Sequence, residues 1–140
     1  MATPVETWIE KIRALAPVVA EWRDKAERQR RLPAPAFSAL KNAGLLRMFV
    51  PRRLGGYQAS VSAIAAAVRE MSRLDGAFGW NLMIAGSSGL FADYLPEAAE
   101  KELFPTGDEI GAGSFAPSGQ AVEVEGGYRV TGRWGSPAAA

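Results

Sequence analysis

Side chains suited to acid–base or phosphate chemistry occur in three short stretches of the chain. Asp108 and Glu109 are adjacent carboxylates, which proton transfer can use. Arg52 and Arg53 are adjacent cations of the kind that bind phosphate, and residues 23–31 are almost entirely charged. Each stretch also has a simpler interpretation: an exposed linker, solvated arginines beside a loop, and an ion-paired helix end with alternating acids and bases. We favour the simpler interpretation for all three.

The chain lacks the side chains on which several enzyme classes depend. Its 140 residues include no cysteine and no histidine, so cysteine nucleophiles, Ser-His-Asp hydrolysis and the usual zinc sites are excluded within it. We predict no metal site. A formal net charge of +1 gives no argument for nucleic acid or a charged membrane surface. The start of the chain lacks the pattern of a signal peptide, and the most apolar stretch is too interrupted to span a membrane. We therefore expect a cytoplasmic protein without nucleic-acid or membrane partners.

The elements that position these side chains are helical up to about residue 108. The first helix has an apolar stripe at spacings of three and four: Trp8, Ile12, Leu15, Val19 and Trp22. Pro17 predicts a kink or a restarted helix within it. Further helices are predicted around residues 37–41, after the N-caps Ser60 and Asp75, and from Pro96 to Leu103. The apolar run 45–50 is predicted to be extended chain that lines the core.

Residues 111–134 are the part of the sequence that predicts β-structure. Residues 121–125 and 128–131 alternate apolar and polar side chains, and Gly126-Gly127 joins them, which predicts a hairpin with the two glycines at the turn. An isolated hairpin is marginally stable in water. Because the sequence ends a few residues later, we expect a β-domain that is only begun.

Four segments, taken in order, resemble the acyl-CoA dehydrogenase superfamily. They are residues 41–46 (KNAGLL) running into 50–57 (VPRRLGGY), 73–80 (RLDGAFGW), 113–117 (GSFAP) and 126–134 (GGYRVTGRW). The resemblance implies a mainly α fold class: an N-terminal helical bundle over 1–108, the first strands of an incomplete β-barrel domain over 109–134, and an irregular tail over 135–140. Family members continue with the rest of the barrel and a C-terminal four-helix bundle. The latter carries the catalytic residues, so no catalytic residue is assigned here.

The third and fourth segments favour one branch of this superfamily. Dehydrogenases proper have Thr-Glu-Pro followed by Gly-Ser-Asp where this chain has FAPSGQA at 115–121. The Pro-x-Gly-x-Ala pattern, with Gly-Arg-Trp at 132–134, is more similar to the flavin-dependent monooxygenases, which use reduced flavin from a partner reductase. Two alternatives stay open. One is an acyl-CoA dehydrogenase proper that acts on CH–CH groups, and the other is a truncated, non-catalytic helical module that only oligomerises or binds a partner.

The resemblance also implies the site residues, the cofactor and the partners. Members bind FAD or FMN, act on a small-molecule substrate and are usually homo-oligomers, and we do not expect this chain to retain the flavin by itself. The implied flavin contacts are Ser114, Phe115, Ala116, Pro117 and Trp134, and the implied wall of the substrate pocket is Trp80 and Asn81. Structural roles remain open for Trp134 as a core aromatic, Ser114 as a hydroxyl bonded to nearby backbone, and Trp80 as a helix contact.

Overall fold

The computed structural model describes residues 3–111 and 113–135, and these are mainly helical, as predicted. The six α-helices are α1 (Val5–Ala14), α2 (Ala16–Gln29), α3 (Ala34–Asn42), α4 (Val61–Leu74), α5 (Gly76–Ser87) and α6 (Glu97–Leu103). Short 3-10 segments cover Leu46–Met48, Arg52–Leu54 and Ser88–Tyr94, and two strands, β1 (Gly119–Val124) and β2 (Gly127–Gly132), follow. None of the helices in the described ranges has the length and apolar character that crossing a bilayer requires. The predicted tail lies outside the described residues from 136 onward.

The segment that was predicted as one helix forms two helices, because the helix is interrupted at Leu15. α1 ends at Ala14 and α2 begins at Ala16, with Pro17 in its first turn, where the missing proline N–H costs no hydrogen bond. This confirms the break that Pro17 predicted. Trp8, Ile12 and Val19 of the predicted stripe are buried in the core.

The helix α5 buries one face in the core of the helical part, through residues such as Phe78 and Leu82. Asp75 caps it as predicted, since its Oδ1 accepts hydrogen bonds from the backbone N–H groups of Ala77 and Phe78 at 2.9 and 3.1 Å. The helix packs against α4, which in turn packs against α1. α4 and α5 approach closely at Gly79, where a Cβ atom would lie 2.0 Å from the Oγ of Ser72. A residue with a side chain at position 79 therefore does not fit without moving the two helices apart.

The apolar run 45–50 is not extended, contrary to the sequence prediction. Leu46–Met48 forms a 3-10 turn, and the run is buried except for the partly exposed Arg47. Burial on several sides, rather than alternation, determines the conformation of so short an apolar segment. Gly56 and Gly89 pack closely against Val50, the last residue of the run. A Cβ at position 56 would lie 2.0 Å from the carbonyl oxygen of Val50, and a Cβ at position 89 would lie 2.7 Å from the Cγ2 of Val50.

The hairpin forms as predicted, but its turn is one residue earlier. Val124 pairs with Gly127, so the two loop residues are Glu125 and Gly126, and Gly127 belongs to β2. Gly126 has a φ of +84°, a conformation that glycine adopts without steric cost. Both strands are exposed on both faces apart from the partly exposed Gly119, and each strand is paired on one edge only in this part of the structure.

Candidate functional site

The segment 113–117 is an exposed turn that leads into β1. The Oγ of Ser114 accepts a hydrogen bond from the backbone N–H of Ala116 at 3.3 Å, and the carbonyl of Ala116 accepts one from the N–H of Ser118 at 2.8 Å. The Phe115 side chain is 99% exposed. Ser114 thus has the local backbone role that the sequence left open, while the ring of Phe115 is available for contact with another group.

Trp134 lies against the open end of the hairpin. A Cβ on Gly119 would come within 2.3 Å of its Cζ2, and a Cβ on Gly132 within 2.6 Å of its Cη2. Because Gly119 and Gly132 pair across the two strands, they form a flat seat for the indole ring. The Gly-Arg-Trp pattern therefore has a physical reason, since only glycine at 132 leaves room for the ring. The Trp134 side chain is still 44% exposed, so part of its surface remains accessible.

Trp80 and Asn81 lie side by side on α5 at a surface depression. The depression has a volume of about 300 Å³ and includes Ala26 and Leu32 among its other lining residues. The Asn81 amide nitrogen donates to the carbonyl oxygen of Ala77 at 2.9 Å, which fixes the orientation of the amide on the helix. Trp80 is 51% exposed, so the packed helix contact considered for it describes only part of its surface.

The structure groups the predicted site residues into two places. Ser114 to Pro117 precede β1 and Trp134 follows β2, so both groups lie at the open end of the hairpin. Trp80 and Asn81 share the depression on α5. Sequence reasoning missed that Arg30 and Arg31 also line this depression. The feature of the sequence that could have indicated this is the charged segment 23–31, which leads directly into the turn at 32–35.

The carboxylate Asp108 belongs to an ion pair rather than to an exposed linker, which corrects the sequence interpretation. Nε and Nη2 of Arg47 donate to its two carboxylate oxygens at 2.6 and 2.7 Å. These hydrogen bonds hold the pKa of Asp108 below its ordinary value. Glu109 caps the adjacent turn by accepting hydrogen bonds from the N–H and Oγ1 of Thr106. Burial acts to raise the pKa of Glu109, but the hydrogen bonds from Thr106 and from the backbone N–H groups of residues 107 and 109 together lower it below its ordinary value. Both groups stay ionised near neutral pH, which suits structural anchoring rather than proton donation.

Arg53 is also paired, which corrects the expectation that it is simply solvated. Its guanidinium donates to the carboxylate of Asp93 and contacts that of Glu100, whose side chain is almost fully buried. The pairing attaches α6 and the preceding 3-10 segment to the Arg52–Leu54 turn. A guanidinium shared by two carboxylates is not available to bind phosphate. Within residues 3–111 and 113–135, no group of three or more acidic side chains is placed to hold a metal ion.

Comparison with known sequences identifies a family model and relatives that match this chain. Residues 5–105 match the family model described as acyl-CoA dehydrogenase, N-terminal domain. The flavin-dependent monooxygenase, oxygenase subunit HsaA, from Rhodococcus jostii is 30% identical over 127 residues, which are 90% of this chain and 33% of that protein. Indole-3-acetate monooxygenase from Pseudomonas putida is 32% identical over 118 residues, covering 80% of this chain and 30% of the relative. The chain thus spans about a third of the length of these relatives.

A solved structure shows the same similarity in three dimensions. XiaF from a Streptomyces species, in complex with FADH2 and glycerol, superposes with a TM-score of 0.85 at 29% identity. The superposition covers 91% of this chain and 33% of that one. Together with the family match, it confirms the resemblance that the four sequence segments indicated, including the preference for the monooxygenase branch.

Proposed function

Because this chain belongs to the acyl-CoA dehydrogenase family through its N-terminal domain, we propose that it forms the N-terminal part of a flavin-dependent monooxygenase. The observation that carries the proposal is the match to oxygenase subunits over 90% of the chain, which extends beyond the helical part into the hairpin. In this proposal residues 1–108 are the helical domain and residues 109–134 begin the β-barrel. The dehydrogenase alternative is less well supported, since the two relatives compared above are monooxygenases.

The residues at the open end of the hairpin fit one side of a flavin site. A flavin needs backbone groups for its ring carbonyls and a flat apolar surface beside its ring system. The exposed turn at 113–117 offers backbone groups, the exposed ring of Phe115 offers contact area, and Trp134 lies against Gly119 and Gly132 with part of its surface accessible. When bound, a reduced flavin would supply the reaction with dioxygen; these residues would bind and orient its ring and shield it from water.

The same proposal assigns the other partners. Trp80 and Asn81 would form part of the substrate wall, because they line a depression and Asn81 is held in one orientation. The relatives named as oxygenase subunits imply a separate flavin reductase as partner. The proposal also includes assembly into a homo-oligomer, which the family resemblance implies.

The proposed monooxygenase reaction is tested on the complete cellular protein that contains this chain. We expect it to hydroxylate a small aromatic substrate with dioxygen and reduced FAD or FMN, measured as product formed and not as dioxygen consumed, since free reduced flavin also reacts with dioxygen. We expect little acyl-CoA oxidation when an electron acceptor replaces dioxygen. The opposite ratio of the two activities would refute the monooxygenase assignment. We expect the 140-residue chain by itself to purify without flavin absorbance. Stoichiometric yellow cofactor that survives gel filtration would contradict this expectation.

The flavin contacts are tested in a hybrid that joins this chain to the remaining two thirds of HsaA from Rhodococcus jostii. Phe115→Ala and Trp134→Ala are expected to weaken reduced-flavin binding about tenfold each, since each removes an aromatic contact surface. Tyr128→Ala, which removes an exposed strand aromatic outside the proposed site, is the matched control. Equal losses in all three variants would show that the aromatic residues act through the hairpin fold and not through flavin contact.

A further inference from the structure

Two adjoining depressions form one cleft between the end of α2, the following turn and α5. One has a volume of about 490 Å³ and the other of about 300 Å³. They share Arg31, Leu32 and Asn81 as lining residues, so they adjoin each other, and the surface that they form together is named here the α2–α5 cleft. Together they offer space of the size that small-molecule sites occupy.

The α2–α5 cleft is more positive than the chain as a whole. Three cations line it (Lys25, Arg30 and Arg31), and the only carboxylate among its lining residues is that of Glu27. The cleft therefore has a net charge of +2, whereas the formal net charge of the whole chain is +1. None of the three cations forms an ion pair with a carboxylate among the described residues. The guanidinium groups of Arg47 and Arg53, by contrast, are held by carboxylates. Lys25 Nζ lies over the ring of Trp22, 5.1 Å from the ring centroid. The guanidinium groups of Arg30 and Arg31 are therefore the cations of the cleft that are available to an external anion.

The rest of the cleft surface is largely apolar. Leu32, Pro33 and Phe37 line the larger depression, where Ile110 also contributes, and Trp80 lines the smaller one. Asn81 lies at the junction with one amide N–H committed to Ala77. An apolar floor beside two guanidinium groups is complementary to a molecule with an apolar ring at one end and an oxyanion at the other.

Arg30 occupies a backbone conformation that its residue type disfavours. It ends α2 with φ 53° and ψ 32°, the left-handed region in which glycine or asparagine is the usual residue. A side chain with a Cβ is strained there. Strained residues of this kind occur most often at functional sites. The side chain of Arg30 lines the cleft, and a binding role there would explain why an arginine occupies this position.

We propose that the α2–α5 cleft binds a small organic anion, in which Arg30 and Arg31 hold an oxyanion and the apolar wall with Trp80 holds an aromatic ring. The oxyanion is a carboxylate or a phosphate, which the guanidinium groups recognise in the same way. The inference deepens the proposed function and rests on it, because Trp80 and Asn81 belong to the proposed substrate wall. It requires no flavin, so binding can be measured on the 140-residue chain alone.

The experiment is a titration of the 15N-labelled chain with three probes that share a ring. Phenylacetate and phenyl phosphate carry the anion, and phenylacetamide is the neutral counterpart of the first. We expect saturable shifts of the Trp80 indole N–H and the Asn81 side-chain amide with the two anions, and affinity for phenylacetamide lower by about tenfold or more. The anion that binds more tightly identifies the oxyanion as carboxylate or phosphate. Raising the salt concentration is expected to weaken the binding of both anions.

Variants separate the cleft from general surface charge. Arg31→Gln is expected to weaken phenylacetate binding about tenfold, whereas Arg28→Gln, which removes an exposed arginine of α2 outside the cleft, should leave it unchanged. Arg30→Gly should weaken binding and also raise Tm, because glycine relieves the backbone strain. Equal affinity for phenylacetamide, equal loss with Arg28→Gln, or no binding of either anion at millimolar concentration would overturn the proposal. None of these outcomes bears on flavin binding at the hairpin, so the two proposals fail separately.

Discussion

Asp108→Asn is expected to lower the free energy of unfolding by about 1–2 kcal/mol. Both oxygens of Asp108 accept from Arg47 at 2.6 and 2.7 Å, and the side chains of Asp108 and Arg47 are 17% and 34% exposed. A shielded hydrogen bond to a charged group contributes about 1.5–3 kcal/mol, whereas an exposed ion pair contributes about 0–1 kcal/mol. This partly exposed pair lies between the two. The amide keeps one acceptor and turns an N–H toward the guanidinium, so one of the two bonds is lost.

The effect is measured by urea unfolding followed by circular dichroism. A loss of this size corresponds to a fall in Tm of about 3–8 °C for a chain of this length. A double-mutant cycle with Arg47→Gln isolates the pair, and we expect a coupling energy of about 1 kcal/mol. Asp24→Asn is the control, because that exposed carboxylate lies 3.7 Å from Arg23 and makes a weaker pair. A coupling energy near zero would refute the assignment of the stability to the ion pair.

The same pair makes the stability depend on pH with a definite sign. Hydrogen bonds from Arg47 lower the pKa of Asp108 in the folded chain. A carboxyl group with a lowered folded-state pKa contributes fully above its unfolded value, about 3.9, and the contribution is lost as the pH falls through the folded-state value. The stability difference between the wild type and Asp108→Asn should therefore be full at neutral pH and shrink below about pH 4. A difference that stays constant into acid would contradict this origin.

Three further outcomes follow from the packing. Gly79→Ala should destabilise by about 1–3 kcal/mol in urea unfolding, because its Cβ would lie 2.0 Å from the Ser72 hydroxyl. Asp75→Ala should cost about 1 kcal/mol in the same assay, because it removes the N-cap of α5. The isolated chain should associate, as measured by light scattering, since both strands 119–132 are exposed and each offers an unpaired edge within the described residues.

Each of these outcomes has a control. Gly76→Ala should be nearly neutral, because the added methyl group would meet no neighbouring side chain or packed segment within 4 Å, and a loss as large as that of Gly79→Ala would contradict the steric reason. Asp75→Asn should retain most of the stability, since asparagine also caps helices well. A monodisperse monomer would count against association through the strands.

The sequence predicted the helices whose ends have local causes. Pro17 and Asp75 act on their neighbours alone, and α2 and α5 begin where these residues indicated. The prediction for the run 45–50 was wrong because its conformation depends on burial against other segments, which a six-residue apolar pattern does not encode. The hairpin turn was off by one residue because either of two adjacent glycines satisfies the positive φ.

The sequence suggested residues of the candidate site only where the site depends on a local motif, and their role in flavin binding stays a prediction. The turn at 113–117 and Trp134 followed from the resemblance, but the glycine seat of the indole became visible only with the pairing of Gly119 and Gly132. Ion pairs such as Arg47 with Asp108 join residues far apart in sequence, and no spacing rule connects them. The α2–α5 cleft has the same origin, since it needs α5 to pack beside the end of α2.

The closeness of Gly56 and Gly89 to Val50 has a consequence for how this chain tolerates sequence change. Either glycine, if replaced by alanine, would push the same residue, since a Cβ would lie 2.0 Å or 2.7 Å from Val50 atoms. Once Val50 has shifted for the first substitution, the second meets a neighbour that is already displaced. The two positions should therefore show epistasis, with the cost of the double substitution differing from the sum of the single ones. In evolving sequences the residue at position 56 would then influence which residues are accepted at position 89, and the reverse.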